Sequence, residues 1–338
     1  MSTRYTRRAL LATVAAAGVT SAAGCLSSGE SRFRLSAYPV ADPYEAFLLA
    51  DPTAQRAQFA IDYPDAYKRA IYDELLASGS VTAVNYQLAY EYSFGSERRE
   101  RPQFVADEGR YYRIHIDAIR TVDRTWWEVY LDLLDTDLPD GTDPATVPIA
   151  SLSELDRRIL ARAMEAAAAD RDPAIDVGDR EPGSRGVTYH HHLDAEASAL
   201  VPSPPFEHLR HNSHLFRVQA ERSVIPVTER TFTAERIGNA RSEYETHVRD
   251  TVLDVDFSTV SLSEEATDVL DTATDGRPVS GFYEEPPPMS DGLEAVLTRL
   301  DAADHVGAHS DYAEYTTFPN MYAIYDGNWY EFDLAVYP

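Results

Sequence analysis

Cysteine is nearly missing from this 338-residue chain, and Cys25 is the only one. A lone thiol excludes any intramolecular disulfide, so the fold must stand without that staple. Lysine is as scarce: Lys68 is the sole example, and arginine supplies the rest of the 30 basic side chains. Against these stand 56 acidic residues, a formal net charge of −26. That balance excludes nucleic acid as a partner, because phosphate recognition needs a basic surface. Long apolar runs are absent too. The best of them, Ala9 to Val19, is about 11 residues, where a membrane span needs roughly 20. Several catalytic signatures are also missing: Gly-x-Ser-x-Gly, Ser-x-x-Lys, His-Glu-x-x-His and a phosphate-cradling glycine loop. No organic cofactor is implied.

The N-terminus is where the sequence says most. Arg4, Arg7 and Arg8 precede the short apolar stretch, and Thr20 to Gly24 are small residues leading to Cys25. This is the layout of an export signal, residues 1–24, ending at a lipid-attachment cysteine. Thr6-Arg7-Arg8-x-Leu10-Leu11 resembles the twin-arginine motif, and Ala22-Ala23-Gly24-Cys25 resembles a lipobox. Residues 25–32 then read as a lipidated linker. The expected location is extracytoplasmic, on a membrane, held by lipid on Cys25. A net −26 repels itself in dilute buffer and is screened in concentrated salt, which reads as a halophile. With 44% hydrophobic residues and 21 tyrosines the chain is not an acidic disordered protein.

Internally, a β-hairpin pattern occurs three times without gaps: Phe104 to Ile116, His208 to Ala220, and Tyr322 to Leu334. Glu108-Gly109, Asn212-Ser213 and Asp326-Gly327 fall at the same place, where a tight turn needs positive φ. Ser151-x-x-Glu154 and Ser261-x-x-Glu264 read as capping boxes opening helices upstream of two hairpins. Asp51 to Phe59 sits at the matching place before the first hairpin, without the glutamate. Further helices are expected at Pro64 to Ser78 and Asp291 to Ala303. The fold class is α+β: three divergent tandem repeats at 33–120, 121–225 and 226–338, each a capped helix plus an antiparallel hairpin or meander. This pattern resembles haloarchaeal lipoproteins exported by the twin-arginine route and built on a repeated small α+β domain. The resemblance implies an address and a fold class, and no activity.

Two histidine clusters are the candidates for chemistry. In Tyr189-His190-His191-His192-Leu193-Asp194-Ala195-Glu196, a strand would place His190, His192, Asp194 and Glu196 on one face. Two imidazoles and a carboxylate suit a divalent zinc, nickel or copper ion. His208, His211 and His214 fall across the middle hairpin, with His208 and His214 expected to flank its turn. His305 and His309 are a weaker pair with Gly307 between them. Aromatics gather at Tyr90 to Tyr130 and at Tyr312 to Tyr330, as core or as a contact surface for carbohydrate or protein. The function expected is a non-enzymatic binding module at the cell envelope, with an envelope protein or small ligand as partner. The alternatives are a metal-binding protein or metal-dependent hydrolase using His190, His192 and Asp194, and a solute-binding component of a transporter.

Overall fold

The structure, a computed structural model, describes residues 32–134, 151–169, 186–211, 214–276, 280–307 and 314–338. Arg7, Arg8, Cys25, His309, Tyr312 and the Asn212-Ser213 turn lie outside these. The architecture is mixed α+β with three sheets. No helix among the described residues is long and apolar enough to cross a membrane.

The chain divides into two compact units. One comprises Met1–Ala41, Ser93–Glu97 and Leu253–Pro338; the other comprises Asp42–Tyr92 and Arg98–Val252. The first unit is built on β1 (Arg32–Val40), β10 (Val255–Asp256), β11 (Gly281–Glu285), β12 (Thr316–Tyr325) and β13 (Asn328–Tyr337), in the order β10-β12-β13-β1-β11. Only β10 runs parallel to its neighbour. Alternation along β1 and β13 buries Phe33 and Leu35, and Tyr330, Phe332 and Leu334. Helices α5 (Glu264–Thr274) and α6 (Asp291–Arg299) bury Val269, Leu270, Leu293 and Val296. Asp326 and Gly327 take φ of 48° and 72°, the positive values the hairpin turn requires.

The second unit is built on a ribbon of two 25-residue strands, β6 (Arg110–Leu134) and β9 (His214–Gly238), paired antiparallel from Tyr111↔Gly238 to Leu134↔Leu215. At one end β2 (Ser80–Val84) and β5 (Gln103–Asp107) widen the ribbon. At the other, β7 (Val187–Thr188) and β8 (His208–His211) do so. Each end has its own core. Helix α2 (Asp65–Ser78) brings Ile71 and Leu75 to Phe59, Val81, Val105 and Phe232. Helix α3 (Glu154–Ala169) brings Ile159 and Leu160 to Val129, Leu131, Tyr189 and Phe216. The unit also holds α1 (Pro43–Ala46) and α4 (Arg241–Thr251), while β3 (Glu91–Phe94) and β4 (Glu97–Glu100) pair with each other.

All three expected hairpins are antiparallel pairs. The second strands of the first two hairpins run on as the long β6 and β9, so the expected repeat boundaries at 120 and 225 fall inside strands. The helix caps sit two residues later than expected. Ser153 Oγ accepts from Asp156 N at 3.0 Å and Ser263 Oγ from Ala266 N at 3.1 Å. Glu154 and Glu264 therefore open the helices instead of reaching back, where their charge suits the positive end of the helix dipole. Ser290 caps α6, its side chain accepting from Leu293 N. Asp51 to Phe59 forms only the short 3-10 turn Pro52–Ala54, capped by Asp51.

Candidate functional site: a histidine segment at the seam of two cores

The site begins with Gly186. A Cβ there would lie 2.3 Å from the Val129 carbonyl, so only glycine lets the chain approach β6 this closely. Gly186 N donates to the buried Glu128 carboxylate at 3.0 Å. Val187 and Thr188 then pair with Val129 and Glu128. The strand ends there, which corrects the expected strand over 189–196. Leu193 N donates back to His190 O at 2.8 Å, a turn, and Asp194 Oδ1 accepts from Glu196 N and Ala197 N. Asp194 is thus an Asx-type turn former, a role its short side chain suits.

The turn still brings two imidazoles together. His190 and His192 lie with rings parallel to within 4°, centroids 6.2 Å apart. His190 is 1% exposed, set against Phe59 at 3.9 Å and edge-on to Trp126 at 4.5 Å. His192 Nε2 donates to Ile61 O at 2.9 Å, and its ring meets Tyr63 at 4.5 Å. Phe59 and Tyr63 belong to the α2 core and Ile61 to the α3 core. The histidines therefore stitch the seam between the two cores.

His191 faces outward. Its Nε2 lies 2.8 Å from Tyr67 Oη and 3.3 Å from Tyr63 Oη. Tyr63 donates to Val84 O at 2.9 Å, and the shorter of the two contacts of the His191 ring is the one to Tyr67. Burial disfavours the charged form of both His191 and His192. His192 is pushed down to about 4, against a partial pull upward from the Ile61 carbonyl. His191 is lowered by burial first, then by His190 and Arg124. Arg124 itself is held by Glu229 at 2.5 Å.

The segment Ala57 to Tyr63 that meets these rings is held by the one lysine of the chain. Lys68, 3% exposed, donates to Asp62 Oδ2 at 2.6 Å and to Thr53 O at 3.1 Å. Asp62 Oδ1 in turn accepts from Ala57 N and Tyr63 N. The far wall is held by a buried chain: Tyr189 Oη meets Ser198 Oγ at 2.6 Å, and Ser198 donates to Asp156 Oδ1 at 2.5 Å.

Beside the histidine segment opens a pocket of about 460 Å³, lined among others by Trp126, Trp127, Tyr189, His190, His191, Glu196 and Arg222. Arg222 lies over the Trp127 ring, 5.4 Å from its centroid. Among the described residues the Arg222 guanidinium and the Glu196 carboxylate have no ion pair or hydrogen bond within the protein.

Comparison with known proteins returns no matching family model, no similar curated protein and no similar solved structure.

The structure therefore brings His190 and His192 together and leaves Asp194 in a turn of its own. Among the described residues no group of three or more His, Cys, Asp or Glu is placed to hold a metal ion. In the middle hairpin His211 pairs with His214 and His208 with Arg217, so His208 and His214 do not face each other. His305 lies 3.6 Å from Glu97 and edge-on to Phe94. A wider depression in the first unit, about 910 Å³, is lined by Asp271, Asp275, Asp326 and Tyr325. Its Tyr325 hydroxyl is already given to Asp271 at 2.5 Å. Phe59, Tyr63, Tyr67, Asp156 and Arg222 were not evident as site residues in the sequence. The isolated lysine was the one sign that residues 53–68 do something particular.

Proposed function

We propose that this chain is an extracytoplasmic lipoprotein, tethered through Cys25 after twin-arginine export, whose second compact unit binds a small ligand without transforming it. The address rests on Arg7, Arg8 and the Ala-Ala-Gly-Cys sequence ending at Cys25. The observation that carries the binding reading is the pocket at the histidine seam: aromatic walls, with the Arg222 and Glu196 charges left without a protein partner. A concave, largely preformed, partly apolar site with few convergent polar groups is the usual form of a small-molecule site. Among the described residues of its lining there is no serine or cysteine beside a histidine, which supports binding over nucleophilic catalysis. The three hairpins are read as copies of one ancestral unit that has drifted.

A thermal-shift screen of the signal-free protein in molar potassium chloride tests the binding reading. The panel holds neutral sugars, amino acids, nucleosides and divalent metals. At least one organic class is expected to raise Tm in the parent and not in Ala195→Trp, which fills the pocket. A parent that no class stabilises, or that Ala195→Trp leaves equally responsive, contradicts the reading.

A further inference from the structure

The lining of the pocket is specific enough to name the ligand class, given that it is a ligand site. An anion is disfavoured, because Arg222 is the only cation in the lining among the described residues, Glu196 sits in the same lining, and the chain carries a net −26. A cation is disfavoured by Arg222 itself, which occupies the face of Trp127 where a ligand cation would settle. A wholly apolar ligand would strand the charges of Arg222 and Glu196 and the polar Nδ1 of His191 away from water, at a cost for each. A metal ion lacks a third ligand among the described residues.

What fits is a neutral molecule with an apolar face and a polar rim. We infer that the pocket formed by Trp126, His191, Glu196 and Arg222 binds a neutral pyranose sugar. The C–H face of a pyranose is apolar and packs on an indole, while its equatorial hydroxyls both donate and accept. The Trp126 and Trp127 indole N–H groups make no hydrogen bond within the protein among the described residues, so they remain available as donors. Glu196 accepts from two adjacent hydroxyls, Arg222 donates to them, and His191 Nδ1 pairs with a third, which as a hydroxyl can donate or accept. His190 has no such freedom: closed between Phe59 and Trp126, it fixes the angle of the indole platform. About 460 Å³ is at the small end of ligand sites and suits one or two rings rather than a long chain.

The test is saturation-transfer NMR and calorimetric titration of the signal-free protein in molar salt. The probes are glucose, galactose, mannose, N-acetylglucosamine, their methyl glycosides and two disaccharides, with adenosine and phenylalanine as other classes. The result expected is saturable binding of at least one neutral sugar, weakened tenfold or more by Glu196→Gln and by Arg222→Gln. Both residues are exposed, so neither substitution threatens folding; Trp126→Ala serves as a third variant where circular dichroism shows it folded. Methyl glycosides binding as well as free sugars point to a sugar unit within a glycan, and free sugars alone to a soluble ligand. Adenosine or phenylalanine binding while every sugar fails overturns the sugar inference and leaves the pocket standing. No binding by any probe overturns the sugar inference, and the thermal-shift panel then decides the pocket separately. Sugar binding indifferent to both charge variants also overturns it.

Discussion

At the scale of single residues, the site depends on keeping charges out of a seam that cannot solvate them. His192 is the clearest case. Its nearby Nε2–H is tied to Ile61 O, and burial drops it to about 4 from an ordinary 6.5. Unfolded, the same imidazole takes up its proton near 6.5, so between pH 6.5 and 4 the unfolded state binds more protons. Stability contributed by the neutral ring is therefore complete above that window and lost as pH falls through it. His192→Gln keeps an N–H for the Ile61 carbonyl and removes the titration. Urea denaturation at pH 7.5 and pH 5 is expected to show the parent losing more stability than the variant, by up to about 2 kcal/mol after allowing for solvent screening. Equal losses in the two proteins would show that His192 does not carry the burden assigned to it. Lys68 belongs to the same logic: a buried ammonium is tolerated because Asp62 and the Thr53 carbonyl surround it.

At the scale of elements, the decisive event is where a strand stops. Alternation in Tyr189 to Glu196 suggests a strand, and a strand would have aligned His190, His192 and Asp194. The strand ends at Thr188, with one last bond from Tyr189 N to Trp127 O at 2.7 Å, and the chain turns at His190 to Leu193. Gly186 sets this up by letting the chain lie against β6. Gly186→Ala puts a Cβ 2.3 Å from Val129 O, a backbone atom that cannot step aside. It is expected to cost about 2–3 kcal/mol in chemical denaturation and to shift Trp126 emission as the histidine segment moves. An unchanged midpoint and spectrum would remove Gly186 from the account. These cases show what a sequence reveals here. The hairpins were legible because Glu108-Gly109 and Asp326-Gly327 carry their turn chemistry in two adjacent residues. The helices were legible for a similar reason, though their caps were misplaced by two residues, since in Ser-x-Ser-Glu either serine can cap. The site was legible only as a run of histidines. Phe59, Ile61 and Tyr63 lie over 100 residues away and reach it through irregular chain held by Asp62 and Lys68. No local pattern encodes that meeting.

At the scale of the whole molecule, composition sets the conditions under which the proposed site would work. A net −26 is tolerated where salt is concentrated enough to cut electrostatic range to about 3 Å, near 1 M. Contacts that matter under such screening must be short and partly desolvated. The pocket is of that kind, with ring faces and hydrogen bonds in place of long-range charge. Two of the three tryptophans of the chain, Trp126 and Trp127, line it. The measurement that tests the central claim most directly is therefore tryptophan emission of a Trp329→Phe variant in molar potassium chloride, titrated with each class of small molecule. The account predicts a saturable change in intensity or wavelength with one class, abolished by Ala195→Trp. Emission unmoved by every class would contradict it, and would reduce the histidine segment to a seam that only holds two cores together.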